Sequence, residues 1–540
     1  MSRREVAIEI FMPDEGLHTD LSRSMITPRS TPFCRNANSY YGVVQKDYGT
    51  ILFHTGSGGV GTAMGAPINL LYSVDFYDTT LLEAFTHTGM YKYSAGLDAF
   101  VIDSIAYTGT FTDFWSACMH NDAMVYADGA HLVQYKLNSA ATGTNMGGVT
   151  SGSYKAFAVV SFANHLNLYH TDEGGNECRK RVRWSVNGPL AYASADWSGG
   201  TSGFLDVQDV DGDILTAHPL GAGNVAVYGE GSIHIQSWVG GTSVYRFDKL
   251  IAGVQIPARR AVVSNDTVHY LLARDNIYEY HGGRDIRPIG EAIKSRYISL
   301  KNEDALDTSF LEYIRDEGEL RVHIPTGTST QPDKCFICKI VGTSTYTWWE
   351  GDTYYTVGGK LTTPSALTIG ELVGNIGAQN WTFGDLVAKS GATIHLLADQ
   401  SGRVVKRSKA TYALSNSGTD TPQPFLFDTK DISSIKDIDP LLQDKYHLTY
   451  YMDNMSRWTK ATIEAKGYGT VSMQYSVDGG IGFDPFPEGD ITLTPEWETY
   501  ELDLDYANPN ISLRVENTGT NEVVHMRYLR VDFVPGGDVE

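Results

Sequence analysis

The chain has 540 residues, 42% of them hydrophobic and 11% aromatic. That excludes a disordered chain and exceeds what one ordinary core organises, so two or three domains are expected. Its 42 basic and 64 acidic residues leave a formal charge of −22, which disfavours a non-specific grip on nucleic acid but not a wall past which DNA slides.

The N-terminal "MSRREVAIEIFMPDEG" has basic residues but no apolar run of signal-peptide length, and no later stretch approaches the roughly 18–20 apolar residues of a membrane span. No membrane partner and no Sec export are therefore expected. Residues 1–65 hold Pro13, Pro28 and Pro32 with little periodicity, as an extended arm that packs along other surfaces would. Within them "GSGGVG" (Gly56–Gly61) satisfies the dinucleotide-binding glycine pattern. Gly65, Pro67 and a strand follow where a helix N-terminus should receive the pyrophosphate, so a connector is read there and no cofactor is expected.

Beyond the arm almost everything reads as strand, rich in Gly (55) and Tyr (32). "NLLYSVDFYDTTLLEAFTH" starts a first hairpin. Ala123–Leu137 turns at Asp128-Gly129, and Phe157–Ser185 carries a longer second loop. Val225–Trp238 turns at Gly-Glu-Gly and Val268–Gly283 at Arg-Asp-Asn. Lys334–Asp352 and Thr393–Ser408 complete the series. The units recur every roughly 35–65 residues, the scale of a four-stranded propeller blade. A β-propeller over residues 66–424 is the reading, with a sandwich array competing and the blade number open. The one helix signal is Ile289–Leu300. After a linker at Ser415–Phe425, residues 425–540 alternate through "HLTYYMDN", "WTKATIEAKG", "TVSMQYSVDGG", "WETYELDLDY", "ISLRVENTG" and "MRYLRVDFVPGG". They predict a C-terminal jelly-roll-like β-sandwich, so the fold class is all-β throughout.

Few motifs carry chemistry. Asp209, Asp211 and Asp213 in "DVDGD" are metal candidates by spacing alone. Counted from Asp209, a calcium loop needs glycine at its sixth position and glutamate at its twelfth, where Ile214 and Leu220 stand. A hairpin turn at Asp211-Gly212 is therefore preferred, and no metal is expected. Five cysteines (Cys34, Cys118, Cys178, Cys335, Cys338) are odd in number and scattered, which argues against a disulfide framework and for a reducing cytoplasm. Cys335 and Cys338 form a lone CxxC in a strand and are read as core. "SVDGGIGF" (Ser476–Phe483) approximates a sialidase Asp-box, itself a hairpin-stabilising motif. "RKRVR" supplies Arg179, Lys180, Arg181 and Arg183, a basic cluster suited to a neighbouring subunit's acidic patch or to DNA phosphate, or to a solvated strand edge. No GxSxG, HExxH or P-loop occurs, and no catalytic residue is assigned.

Two segments resemble structural proteins of short-tailed phage tails. Glu15–Phe53 has a Gly-Leu-x-Thr-Asp start, a proline-bearing stretch, Arg-Asn and "GVVQKDYG". The second runs from "RVRWSVNGPLAYASADW" through "DGDILTAHPLGAGNVAVYGEGSIHIQSWVGG" and "FDKLIAGVQIPARRAVV" to "HYLLARDNIYEYHGGRDIRPIGEAI". The resemblance implies a non-enzymatic virion protein, a tail hub or nozzle subunit assembled in the host cytoplasm. Its implied partners are copies of itself in a ring, commonly a hexamer, the connector or adaptor above, and tail fibre or spike proteins. Genomic DNA would pass through the channel without specific binding. A glycan-binding, receptor-recognising tail protein is the first alternative and a propeller glycosidase acting on host polysaccharide the second.

Overall fold

The structure, a computed structural model, describes residues 6–534 apart from 11–14, 41, 55–62, 77–78, 96, 106, 147–153, 189–193, 222, 242, 343–344, 363–392, 417 and 434–455. The glycine pattern at Gly56–Gly61 and the segment "HLTYYMDN" lie outside the described residues. The chain is all-β: a propeller, a C-terminal sandwich and an N-terminal arm that enters both.

Each of the seven expected hairpins falls in its own antiparallel sheet, so the series forms blades I to VII. Blades I to V have four strands each, over residues 68–105, 116–145, 154–206, 214–252 and 262–288. Blade VI (310–352) has four strands extended by two short arm strands, Gly16–Leu17 and Ser30–Thr31. Blade VII takes three strands from residues 355–408, and its fourth, Gly49–Leu52, comes from the arm and pairs Leu52 with Val405 and Gly49 with Ser408. First strands of successive blades lie side by side, and that of blade VII (Tyr355–Thr362) lies beside that of blade I (Ile68–Asp75). The ring is thereby closed, with few sheet edges left for foreign strands.

Local chemistry explains most turns. Ala163 and Asn164 both take positive φ, which makes the tight turn between Tyr154–Phe162 and His165–Glu173. The second turn of this blade is Gly174-Gly175 and leads directly into Asn176–Trp184, so the longer loop expected there is absent. "DVDGD" is not a hairpin tip: it connects the last strand of blade III (Gly203–Asp206) to the first of blade IV (Ile214–Leu220), reversing at Gly212 (φ +74°). The helix signal forms a short helical turn, Glu291–Ile293, followed by an α-helix, Lys294–Leu300. The expected linker holds a small hairpin, Leu414–Asn416 with Thr419–Thr421.

In the sandwich, two expected strands are one. Arg457–Ser476 runs for 20 residues, with positive φ at Gly467 and Gly469 where it passes from one sheet half to the other. Residues before the bend pair with Glu498–Ala507 and Val523–Val534, those after it with Asn510–Asn517. The arm again supplies strands: Val6–Ile10 and Val43–Lys46 pair with Val523–Val534, and Cys34–Arg35 pairs with Phe425–Asp428. Ile8, Leu17, Cys34, Ala37 and Val44 belong to the same apolar core as blade residues Trp348 and Trp349 and sandwich residues Trp458 and Phe533. Blades IV to VI, the arm and the sandwich share one continuous interior.

Candidate functional site

The basic strand of blade III is compensated within the chain. Arg179 meets Glu177 at 2.9 Å and Asp213 at 3.1 Å. Arg181 meets Asp206 at 2.7 Å and Glu173 at 3.1 Å, and Arg183 lies 2.8 Å from Glu173. Lys180 donates to the Val210 carbonyl. Burial acts to raise the Glu173 carboxyl, but hydrogen bonds from Arg183 and Thr171 and the charge of Arg181 hold it below the usual range. Arg181 and Arg183 also stack on Phe204, at 4.0 and 4.9 Å from its ring centre. The free basic patch suggested by "RKRVR" is thus a network of ion pairs, and only Arg179 among its arginines is well exposed.

The aspartate triad diverges rather than converging. Asp209 faces His234 (3.2 Å), Asp211 faces Lys249 (2.7 Å) and Asp213 faces Arg179 (3.1 Å). A cation needs several oxygens directed at one point, whereas each of these carboxylates serves a separate basic partner. Among the described residues no group of three or more His, Cys, Asp or Glu side chains is placed to hold a metal ion. Cys335 and Cys338 are buried, and burial pushes the Cys335 thiol up to about 12, which leaves it unreactive. The Asp-box-like turn is self-contained: Asp478 accepts from Ser476 Oγ and from the backbone N–H groups of Ile481 and Gly482.

A buried polar assembly of several charged groups was not legible in any motif. It sits where the arm crosses blades VI and VII. Glu319, fully buried, receives Lys339 (2.6 Å), Arg321 (3.0 Å) and Arg407 (3.0 Å), with Tyr40 and Asn38 of the arm donating to the same carboxylate. Arg321 also forks onto Asp47 of the arm. Burial acts to raise the Glu319 carboxyl, yet Arg321, Arg407 and Lys339 together hold it well below the usual range. Further along, Asn36 donates to Asp352 and to the Pro424 carbonyl and accepts from the Asp352 backbone N–H. In the sandwich Asp428 takes both Arg23 of the arm and Arg514. Lys46 is buried with its ammonium on Asn517 Oδ1 and the Gly519 carbonyl, and burial lowers it to about 8. These groups fix the arm at intervals across both domains.

No family model matches the sequence, and no curated protein matches it. Among solved structures the chain is similar to BBS1N, crystallised in complex with ARL6DN and soaked with mercury, at 9% identity and a TM-score of 0.38, covering 67% of this chain and 97% of that one. It is also similar to a family 29 carbohydrate-binding module, at 12% identity and a TM-score of 0.15, covering 26% of this chain and 67% of the module. At the arm junction Arg321 pairs with Asp47 and Glu319, and Lys339 and Arg407 pair with Glu319.

Proposed function

We propose that this chain is a structural subunit of a phage virion tail, a hub or nozzle ring that continues the DNA channel below the head-to-tail connector and carries other tail parts. One observation carries the reading: Glu15–Phe53, one of the two segments that resemble such proteins, is the one that fastens the propeller to the sandwich and closes blade VII. Domains joined by a simple linker move relative to one another. Four arm strands in the sandwich sheet and three in the propeller suit a subunit that must hold shape under load. A net charge of −22 suits a conduit that must release DNA. In this reading the chain catalyses nothing.

Electron microscopy of the purified protein with its connector tests the reading. A closed ring with an axial channel supports it. A trimeric spike, or reducing ends released from host polysaccharide by the purified protein, would overturn it in favour of a receptor-binding or glycosidase role.

A further inference from the structure

The propeller's own axis holds two arginines, Arg259 and Arg260, that no ion pair among the described residues explains. Arg259 and Arg260 end the connector from blade IV to blade V, in "VQIPARRAVV". Their side chains reach across the hub. Arg259 donates to the carbonyls of Phe114 and Asp128 in and around blade II and lies 3.6 Å from the centre of the Phe157 ring of blade III. Arg260 donates to the carbonyls of Thr308 and Thr356, before blade VI and in blade VII, and lies 3.8 Å from the Phe114 ring centre.

Among the described residues no carboxylate oxygen lies within ion-pair distance of either guanidinium. Asp113, Asp128 and Asp307 act on them without contact, and the first two are committed to Thr110 and His131. The Nε of Arg260 is buried with no acceptor. Burial pulls Arg259 down to about 10 and Arg260 to about 9, the response of cations left short of counter-charge.

Beside them is a cavity of about 210 Å³ whose wall is built by the first strands of all seven blades. Its polar lining includes Asn69, Ser116, Thr216 and His218, of which Thr216 Oγ1 and His218 Nε2 lie 3.3 Å apart. Stacked aromatic rings and backbone acceptors hold the two cations in place, but none of them neutralises the charge.

We propose that this hub cavity is an anion site, in which Arg259 and Arg260 take the phosphate or carboxylate group of a compact small molecule. Arginine suits that task because its planar fork matches both oxyanions and stays charged. The site is separate from the arm and does not depend on how the chain assembles.

Titration calorimetry on the full chain tests it, with inorganic phosphate in one arm and malonate in the other, at constant ionic strength so that screening does not change. Saturable heat is expected with at least one anion, together with a rise in Tm of about 1–2 °C at saturation. The arm that saturates names the oxyanion class. Thr216→Leu, which narrows the cavity and keeps both guanidiniums, should weaken the binding. Arg260→Lys, which keeps charge but loses the fork, should weaken binding about tenfold. No saturable heat with either anion, or binding unchanged in Thr216→Leu, would overturn the proposal.

Discussion

Arg321 forks onto Asp47 with both Nη atoms 3.0 Å from the carboxylate oxygens, in a place where the two side chains are only 8% and 4% exposed. Asp47 belongs to the arm and Arg321 to the second strand of blade VI, so this pair seats the N-terminal segment on a propeller wall. Removing one partner strands the other charge in a dry interior. Asp47→Ala should therefore cost about 3–5 kcal/mol, read as a lower denaturant midpoint. Pairing it with Arg321→Met should recover part of the loss, because the double variant leaves fewer charges unmatched. An Asp47→Ala midpoint equal to wild type would show that the arm is not seated by this pair.

The same network sets an acid limit. The Glu319 carboxyl is held well below its ordinary value, so the unfolded chain binds its proton first as pH falls. Its stabilisation is complete above about pH 4.3, the unfolded value, and drains as pH drops below it towards the folded value. Glu319→Gln should lower stability at pH 7 and make the decline below pH 4 shallower than in wild type. Parallel pH profiles of the two proteins would contradict this.

Blades I and II contain a group of opposite sign. Glu83 is fully buried, 2.6 Å from Lys136, and burial raises its carboxyl to about 7 even though Lys136 opposes the shift. Here the folded state holds the proton more tightly than the unfolded state between about pH 4.3 and 7. This group's contribution is full below about pH 4.3 and is lost as pH rises through 7. Between pH 6 and pH 8 wild type should lose more stability than Glu83→Gln, whose amide cannot titrate. Equal slopes in urea unfolding at the two pH values would refute it.

Much of this fold was legible because its information is local. A hairpin is written in alternation and a turn dipeptide, and all seven blade hairpins were found that way, as was the helical segment at Ile289–Leu300. What local pattern does not contain is a partner far along the chain. Gly49–Leu52 reads as an ordinary strand, and nothing in it says that it pairs with Val404–Ser408. "RKRVR" reads as a positive patch because the carboxylates that answer it, Glu173, Asp206 and Asp213, flank it on other strands and connectors. Arg259 and Arg260 left a faint signal, two adjacent cations between apolar residues in an acidic protein, but the rings and carbonyls they meet come from other blades.

Arm docking on blade VI also depends on one glycine. Gly16 has φ +75° and pairs with Trp348, and a Cβ there would stand 2.3 Å from the Trp348 carbonyl oxygen. Gly16→Ala combines the strained backbone with that clash and should cost about 1–3 kcal/mol. Limited proteolysis should cut the variant within residues 15–40 at protease levels that leave wild type intact. Resistance equal to wild type would mean that the arm is held without this contact.

Arg183 and Arg179 differ in what they hold, although both belong to the basic strand. Arg183 is nearly buried and anchors half-buried Glu173 through two hydrogen bonds, at 2.8 Å each. Arg183→Ala should lower stability by about 1–3 kcal/mol, with Glu173→Ala non-additive to it in a double-mutant cycle. Arg179, on the surface, should be replaceable by Ala with no change in denaturant midpoint. If Arg179→Ala proved the more damaging of the two, the strand's charge would be serving a contact outside this chain.

The closing strand permits the most direct test of the architecture. A chain lacking residues 1–53 loses the fourth strand of blade VII and every arm strand of the sandwich. Val404–Ser408 then becomes an open edge, and the apolar faces once covered by Ile8, Leu17 and Val44 meet water. The truncated chain should bind a hydrophobic dye and aggregate before any partner is added. A peptide spanning residues 15–53, supplied in trans, should restore solubility and a cooperative thermal transition if strand pairing is what the arm provides. The same peptide with Asp47→Ala should rescue less well, since it can pair at Gly49–Leu52 but not satisfy Arg321. A truncated chain that stayed soluble and melted cooperatively on its own would show that the propeller closes without the arm, and would return the arm to a role outside its own chain.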